Sequence, residues 1–531
     1  MRVETGTTAL VDETRRLLTE ASAQYADGAV RGTLRSAADR MDEPLRVAIA
    51  GRVKAGKSTL LNALVGEPLA PTDARECTRV VTWYRNGISY GATIHLLDGG
   101  TASATIRRAD GSMEVDLGPV LVEDIERLVI AWPAAPLRQV TLVDTPGIAS
   151  IRQEISARTT RFLLPGEEDE PLMPADAVIY LLRHVHAADS SFLEAFADQS
   201  MARATPANAI GVLSRADEVG GGGLDAMVRA RRVADRYRTD PELRRLCQTV
   251  VPVAGLTAQA AVTLKQHEFA HFRALASGER TQVDGALLSA RRFLAAGSEQ
   301  AGDVSTLARR LLLDRFGLWG VRMSVALVRT GVAPNAPRLA EELVERSGLG
   351  ELRRVLADQL GTRAEALKAR SALHLLRRTV LANPIGAGDA IRSEVERTLA
   401  SAHVLEELRL LPALRAGTSG LRAELVPQAE RLLGSSGTSI EARLGFDTTT
   451  IGTNAEPVAV SNAELAERAS AEVVRWQSVA AHPLTSPTAS HAAQVLARTA
   501  EGLAAEATRD TGRTAPPNDA HVMDRETTTP Q

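Results

Sequence analysis

One octapeptide constrains this chain more than any other stretch. Gly51-Arg52-Val53-Lys54-Ala55-Gly56-Lys57-Ser58 has the spacing G-x-x-x-x-G-K-[ST]. It follows Val47-Ala48-Ile49-Ala50, which reads as a buried strand, and precedes Thr59-Leu60-Leu61-Asn62-Ala63-Leu64, which reads as a helix. A strand, a tight glycine turn and a helix in that order aim backbone N–H groups at one point in front of a helix N-terminus, where the dipole favours an anion. Lys57 then offers a point charge to the β and γ phosphates of a nucleotide, and Ser58 offers an oxygen to Mg²⁺. The expected cradle is Gly51, Lys54, Ala55, Gly56, Lys57, Ser58 and Thr59.

A phosphate cradle does not distinguish ATP from GTP, so the order of the later loops matters. Asp144-Thr145-Pro146-Gly147 ends the apolar run Val140-Thr141-Leu142-Val143, and Ser214-Arg215-Ala216-Asp217 ends Ile210-Gly211-Val212-Leu213. Read alone, D-x-x-G is an ordinary strand-to-turn link; its place after the phosphate loop singles it out. Asp144 is then expected near the Mg²⁺ shell, and the Gly147 N–H near the γ phosphate. Asp217 is the candidate acceptor for two N–H groups on the guanine edge, a contact adenine cannot return. The usual pattern N/T-K-x-D is replaced by Ser214 and Arg215, although an Arg stem also covers a purine face. Ala254, in Val253-Ala254-Gly255 after the last strand, is a candidate for the final base-contacting loop on position alone.

Around these loops the pattern changes twice. Residues 4–41 carry apolar positions at helical spacing broken at Gly28, predicting two helices or one broken helix. Eight strands are then expected: Arg46–Ala50, Val80–Tyr84, Thr93–Leu97, Thr105–Arg108, Gln139–Val143, Ala177–Leu182, Ala209–Leu213 and Val250–Val253. Strands alternating with helices predict a mostly parallel sheet covered on both faces, an α/β nucleotide-binding domain. Past Gly255 only helical signals remain, and Leu352, Leu356, Leu360 and Leu367 form a stripe suited to the core of a bundle. The expected division is N-terminal helices over 1–44, a nucleotide domain over 45–258, an all-α region over 259–505 and a disordered tail over 506–531.

The residues from Arg46 to Leu64, with Leu69-Ala70-Pro71-Thr72 and Cys77-Thr78-Arg79, resemble the bacterial dynamin-like GTPases, in particular the actinobacterial isoniazid-inducible type. The resemblance covers the GTPase domain well and the helical remainder more loosely. It implies a GTPase that hydrolyses GTP with Mg²⁺ held by Ser58, Thr78 and Asp144. Thr78 is the implied switch residue, with Thr72 as the alternative. It also implies that both flanking helical regions build a neck and stalk, and that the chain self-associates or pairs with a second dynamin-like protein. Eukaryotic dynamins carry Gln-Ser where this chain has Val53-Lys54. Guanylate-binding proteins place an Arg at the position of Lys54, so Lys54 joins Lys57 and Thr78 as a catalytic candidate.

Composition narrows the partners. With 62 Lys+Arg against 65 Asp+Glu the net charge is -3, which excludes the broad basic footprint of a general nucleic-acid binder. Cys77 and Cys247 are too isolated for a zinc or disulfide framework, and no secretory signal or 18-residue apolar run occurs, so a cytoplasmic location is expected. The family resemblance points to the inner face of the plasma membrane, with anionic lipid as a candidate partner. Three segments are candidates for that contact: Phe316–Val321, the basic residues within 351–380, and the Gly434–Gly437 loop. Core packing and internal pairing are the competing readings for the first two. A soluble GTP-dependent switch or scaffold that binds a protein partner is the alternative function.

Overall fold

The first strand of the sheet is buried along its whole length, Arg46 included. All seven residues of β1 (Leu45–Gly51) are buried, as a strand enclosed on both faces requires. The structure, a computed structural model, describes residues 2–51, 54–70, 80–109, 112–145, 175–183, 208–297, 300, 302–446 and 460–511. Helices α1 (Arg2–Gln24) and α2 (Gly28–Asp39) precede β1. After it come α3 (Lys57–Val65), β2 (Thr82–Asn86), β3 (Gly91–Leu96), β4 (Thr101–Ala109), β5 (Ser112–Asp116), β6 (Ile125–Trp132), β7 (Val140–Asp144), β8 (Ala177–Leu182), β9 (Ala209–Ser214), α4 (Ala226–Thr239), α5 (Pro241–Leu246) and β10 (Val250–Val253).

These ten strands form one sheet in the order β10-β9-β8-β1-β7-β2-β6-β3-β4-β5. Its first five strands are parallel, with Val47 beside Leu142 of β7 and Ala177 of β8. The other half differs. The strands β2 to β5 follow one another through short connections, which cannot supply a crossover, so β3 pairs antiparallel with β4 and β4 with β5. Only β6 returns to lie parallel to β2. Strands β5 and β6 were not expected from the sequence, because no helical stretch separates them from their neighbours to mark an alternation.

Beyond the sheet the chain is helical: α6 (Gly255–Val262), α7 (Gln266–Ser277), α8 (Arg280–Ala286), α9 (Ala290–Ala295), α10 (Thr306–Arg329), α11 (Ala336–Arg346), α12 (Leu349–Val355), α13 (Ala364–Ala382), α14 (Gly388–Ser401) and α15 (His403–Ala416). Several of them start on side-chain caps: the Ser305 hydroxyl accepts from the Ala308 N–H at the head of α10. Phe272 of α7 and Phe316 of α10 meet edge to face with ring centres 4.9 Å apart, inside a core that includes Phe293, Leu312 and Leu339. Leu352, Leu360 and Leu367 are buried and Leu356 is half-buried, so the leucine stripe is core.

The root of β1 is tied down by charge. Asp176, just before β8, accepts from the buried Arg40 guanidinium and from the Arg46 N–H at 2.9 Å. Lys368 of α13 donates to the carbonyls of Met41 at 2.7 Å and Glu43 at 2.9 Å. An ion pair buried this deeply holds its geometry because removing either partner strands a charge. The strand carrying the glycine loop at its far end is thereby fixed to α13.

Residues 6–418 form one compact unit, and residues 1–5 with 419–531 form a second. The second contains α16 (Val426–Leu432), α17 (Ile440–Leu444), α18 (Asn462–Ala481) and α19 (Pro487–Thr511). A capping box of Ser461 and Glu464 starts α18, and α18 packs along α19 as a helical hairpin with Trp476 buried. The expected tail lies outside the described residues from 512 on.

Candidate functional site

Between the end of β1 and the start of α3 the backbone makes the turn that the glycines permit. Gly51 has φ 148°, Gly56 has φ 97°, and Lys54 sits at φ 61°, a left-handed conformation uncommon for a residue with a side chain. A Cβ on Gly51 would lie 3.0 Å from the Leu181 carbonyl oxygen, so β1 and β8 approach more closely than any other residue allows. Gly56 is the N-cap of α3, placing Lys57 and Ser58 in the first turn, where the unpaired N–H groups lie. Arg52 and Val53 lie outside the described residues.

Three side chains converge at this helix start. Lys57 Nζ donates to the Gly51 carbonyl at 3.3 Å, and Ser58 Oγ donates to Asp144 Oδ2 at 3.2 Å. The other carboxylate oxygen, Asp144 Oδ1, is buried with no hydrogen-bond partner among the described residues. Burial pushes the Asp144 carboxyl up to about 6, with Lys57 and Ser58 pulling the other way, and burial lowers the Lys57 ammonium with Asp144 opposing. A desolvated carboxylate beside a hydroxyl, with an oxygen left over, is a donor set deficient in positive charge. That is what a hard divalent cation with oxygen ligands fits. Ser58 and Asp144 are therefore brought together as the sequence suggests, whereas Thr72, Thr78 and Gly147 lie outside the described residues.

A cleft of about 180 Å³ opens beside the cradle, lined among others by Ala55, Gly56, Thr59, Ser214, Arg215 and Asp217. Asp217 stands at its end; burial pushes its carboxyl up to about 6, with its own backbone N–H and Arg215 lowering it and Glu218 raising it. Ser214 Oγ is directed to the Leu182 carbonyl at 3.3 Å, which makes it a strut between β9 and β8. Arg215, at φ 52°, donates to the Lys54 carbonyl at 3.2 Å and pairs with Glu218 at 3.0 Å. Val253, Gly255 and Leu256 line the cleft on the other side. Ala254 lies between them, but its N–H donates to the Ser347 carbonyl at 2.9 Å, so the lining falls to its neighbours. Lys54 is exposed at the rim.

Sequence reasoning did not find Asn62, Leu256 or Glu218. Asn62 is buried one turn into α3; it donates to the Ala70 carbonyl at 2.9 Å and accepts from the N–H groups of Leu69 at 2.9 Å and Ala70 at 2.7 Å. The only signal was an amide in an otherwise apolar helix segment. Leu256 and Glu218 carry no motif signal at all, since only the folded loops bring them to the cleft.

A glycine turn closing on a helix start, an Asp–Ser pair shaped for a cation and a carboxylate-ended base cleft define the class as a P-loop GTPase. Residues 47–216 match the family described as the dynamin family. The isoniazid-induced protein IniC of Mycobacterium tuberculosis (strain ATCC 25618 / H37Rv) is 40% identical over 468 residues, covering 88% of this chain and 91% of that one. The bacterial dynamin-like protein of Nostoc punctiforme is 33% identical over 124 residues, 21% of this chain and 18% of its own. Among solved structures, a chain of an oligomerised bacterial dynamin pair matches at 14% identity over 95% of this chain and 75% of its own. Its TM-score is 0.29. The chain belongs to the bacterial dynamin-like GTPases, of the isoniazid-induced type.

Two of the candidate lipid contacts are accounted for inside the protein. In Phe316–Val321 the side chains of Phe316, Trp319 and Val321 are buried in the core. The basic residues of 351–380 are committed internally: Arg353 donates to the Ala63 carbonyl at 2.9 Å, Arg354 pairs with Glu345, Lys368 with Glu365, Arg377 with Glu396, and Arg370 is buried. Among the described residues, no helix is long and apolar enough to cross a membrane.

Proposed function

We propose that this GTPase binds GTP with its phosphates on the turn Lys54–Thr59 and its base against Asp217, and hydrolyses it with Mg²⁺ held by Ser58 and Asp144. The observation that carries the reading is the buried, unpartnered Asp144 Oδ1 beside the Ser58 hydroxyl and the Lys57 ammonium. The bound ion would neutralise charge that develops on the transferred phosphoryl group. Lys57 adds a fixed positive charge to the same oxygens, and the first-turn N–H groups of α3 orient them. Thr78 completes the Mg²⁺ shell and orders the attacking water, Gly147 reads the γ phosphate, and Lys54 supplies further positive charge at the rim. Thr78 follows from the family resemblance, Gly147 from its place in the D-x-x-G loop, and Lys54 from the Arg that guanylate-binding proteins carry at that position.

At the next level, the chain self-associates, or pairs with a second dynamin-like protein, and its helical flanks act as neck and stalk at the cytoplasmic face of the plasma membrane. Family membership supports this reading. With the first two lipid candidates buried or paired, the Gly434–Gly437 loop is the remaining one from the sequence. The internal pairing of the 351–380 arginines supports the second reading, a soluble GTP-dependent switch with a protein partner.

The test is GTP and ATP turnover across a protein concentration series, with and without anionic liposomes, using Lys57→Ala as the blank. GTP-specific turnover that rises per molecule with protein or lipid supports the assembling, membrane-facing enzyme. A GTP rate independent of both supports the switch, and no rate above the blank overturns hydrolysis by this chain alone.

A further inference from the structure

The loop that carries Asp217 has little shape of its own. Arg215 is at φ 52°, and Gly220, Gly221 and Gly222 are at φ 67°, 80° and 68°. Three successive glycines in the left-handed region leave the backbone free to sample many conformations, so its position must be imposed from outside. The contacts that impose it come from α10, which lies beyond the last strand.

Arg322 of α10 donates to the Gly222 carbonyl, and also to the carbonyls of Leu287 at 2.8 Å and Leu288 at 2.9 Å. A planar guanidinium spreads its donors over three nitrogens and so reaches three separated carbonyls in one arrangement, whereas an ammonium's three donors leave a single nitrogen. One turn earlier, α10 is broken at Gly317, with φ 67° and ψ 170°. A Cβ there would stand 3.6 Å from Asp217 Oδ2 and 3.9 Å from a Leu256 methyl, so the kink is the part of α10 that faces the base-reading carboxylate. The break leaves the Phe316 carbonyl to accept from the buried Thr257 hydroxyl at 2.9 Å, on the residue after Leu256. At Gly320 a Cβ would come within 2.6 Å of that same hydroxyl, so the close approach of α10 depends on a second glycine. A kink inside a 24-residue helix is an outlier that the surroundings must maintain, and here it is maintained at the wall of the cleft.

We propose that α10 positions guanine recognition: the Gly317 kink sets the place of the Asp217 carboxylate, and Arg322 fixes the loop that bears it. Neither residue touches the base in this arrangement; both act through Asp217. Nucleotide specificity is thus set in part by a helix outside the sheet, and by linkage guanine binding biases the seating of α10. The inference rests on the assignment of Asp217 as the guanine acceptor.

The experiment compares equilibrium binding of GTP and ITP, whose base lacks the 2-amino group, to the full chain and to Arg322→Ala, Arg322→Lys, Gly317→Ala and Asp217→Asn. Displacing the carboxylate removes a two-point, charge-assisted contact, so Arg322→Ala and Gly317→Ala are expected to lower the GTP-over-ITP preference about tenfold. ITP keeps the N1–H donor to Asp217 and the same phosphates, so its affinity is expected to fall by less than that of GTP. Arg322→Lys, whose donors share one nitrogen and cannot span all three carbonyls, is expected between the two. A purely structural role would weaken both nucleotides equally, and an unchanged ratio in the α10 variants overturns the proposal. If Arg322→Ala does not fold, Gly317→Ala and Arg322→Lys decide. Should Asp217→Asn itself leave the ratio unchanged, the base assignment fails and the proposal with it; a ratio altered only in Asp217→Asn removes α10 alone.

Discussion

The Arg215 guanidinium donates to the backbone carbonyl of Lys54 at 3.2 Å, joining the base loop to the phosphate loop across the mouth of the cleft. Both residues sit at positive φ, so each loop is held in an uncommon conformation and the hydrogen bond fastens one to the other. Replacing Arg215 with Gly keeps the backbone conformation and removes the whole side chain, and with it both this hydrogen bond and the ion pair to Glu218. The bond is solvent-exposed, so the effect is modest: GTP and GDP affinities fall about two- to fivefold together. The GTP-over-ITP preference stays constant, measured by competition binding, which separates this contact from those of α10.

On the proposed reading Asp217 governs base choice, and its carboxyl gives a pH response. An Asn there presents one donor and one acceptor in place of two acceptors, matching the 2-carbonyl of xanthine, so Asp217→Asn is expected to favour XTP over GTP in competition binding. Its carboxyl titrates at about 6 in the fold against an ordinary 3.8. The folded state therefore holds this proton more tightly than the unfolded one. Stability is present in full below the ordinary value and is lost as pH rises through about 6. In the absence of nucleotide, Asp217→Asn should gain on the order of 1–3 kcal/mol over the parent at pH 8 and nothing at pH 4, by denaturant unfolding. GTP affinity of the parent should fall as pH drops below about 6, because the protonated carboxyl accepts from one fewer donor.

Removing the Ser58 hydroxyl tests the cation site. Ser58→Ala deletes one expected oxygen ligand while leaving Asp144 in place, so half-saturation of turnover should require about tenfold more Mg²⁺. Lys57→Ala should instead reduce the rate at saturating Mg²⁺ by about a hundredfold or more. A Mg²⁺ titration of turnover distinguishes the two outcomes. Equal half-saturation in Ser58→Ala and the parent would remove Ser58 from the cation site.

Asn62 links the nucleotide helix to the segment after it through three side-chain hydrogen bonds, all buried. Truncation to Ala strands the Ala70 N–H and the Ala70 carbonyl and leaves the Leu69 N–H only its bond to the Glu67 carbonyl, and is expected to cost about 1–3 kcal/mol in a urea titration. Asn62→Asp keeps the acceptor for Leu69 and Ala70 but faces the Ala70 carbonyl with a charge, so it should rescue little. Stability of Asn62→Ala equal to the parent would show that residues 67–70 are held by other contacts.

Much of this could be read from the chain before it folded, and for a local reason. The glycine turn needs Gly51 and Gly56 at fixed spacing between an apolar strand and a helix, and those requirements are written in consecutive residues. The parallel half of the sheet was legible for the same reason, since alternating strands and helices force crossovers. The hairpin half was only partly legible, because β5 and β6 lack that alternation and their partners are chosen by pairing. Charge also misleads when read one residue at a time. The excess of arginine over 351–380 suggests an exposed basic face, but Arg353 reaches back to Ala63 and Lys368 to Met41, contacts separated by about three hundred positions that no pattern records.

What the sequence by itself determined is therefore the glycine turn and helix start proposed to hold the phosphates, because a short motif specifies how backbone N–H groups are arranged there. What only the tertiary structure decided is how the proposed base end is built: Asp217 is half-buried, Arg215 is pinned to Lys54, and α10 is kinked at Gly317 against that carboxylate. The physical reason is range. A turn is fixed by the torsions of its own residues, whereas a cleft wall is fixed by whichever distant helix can approach closely enough, and here Gly317 and Gly320 are what let α10 do so.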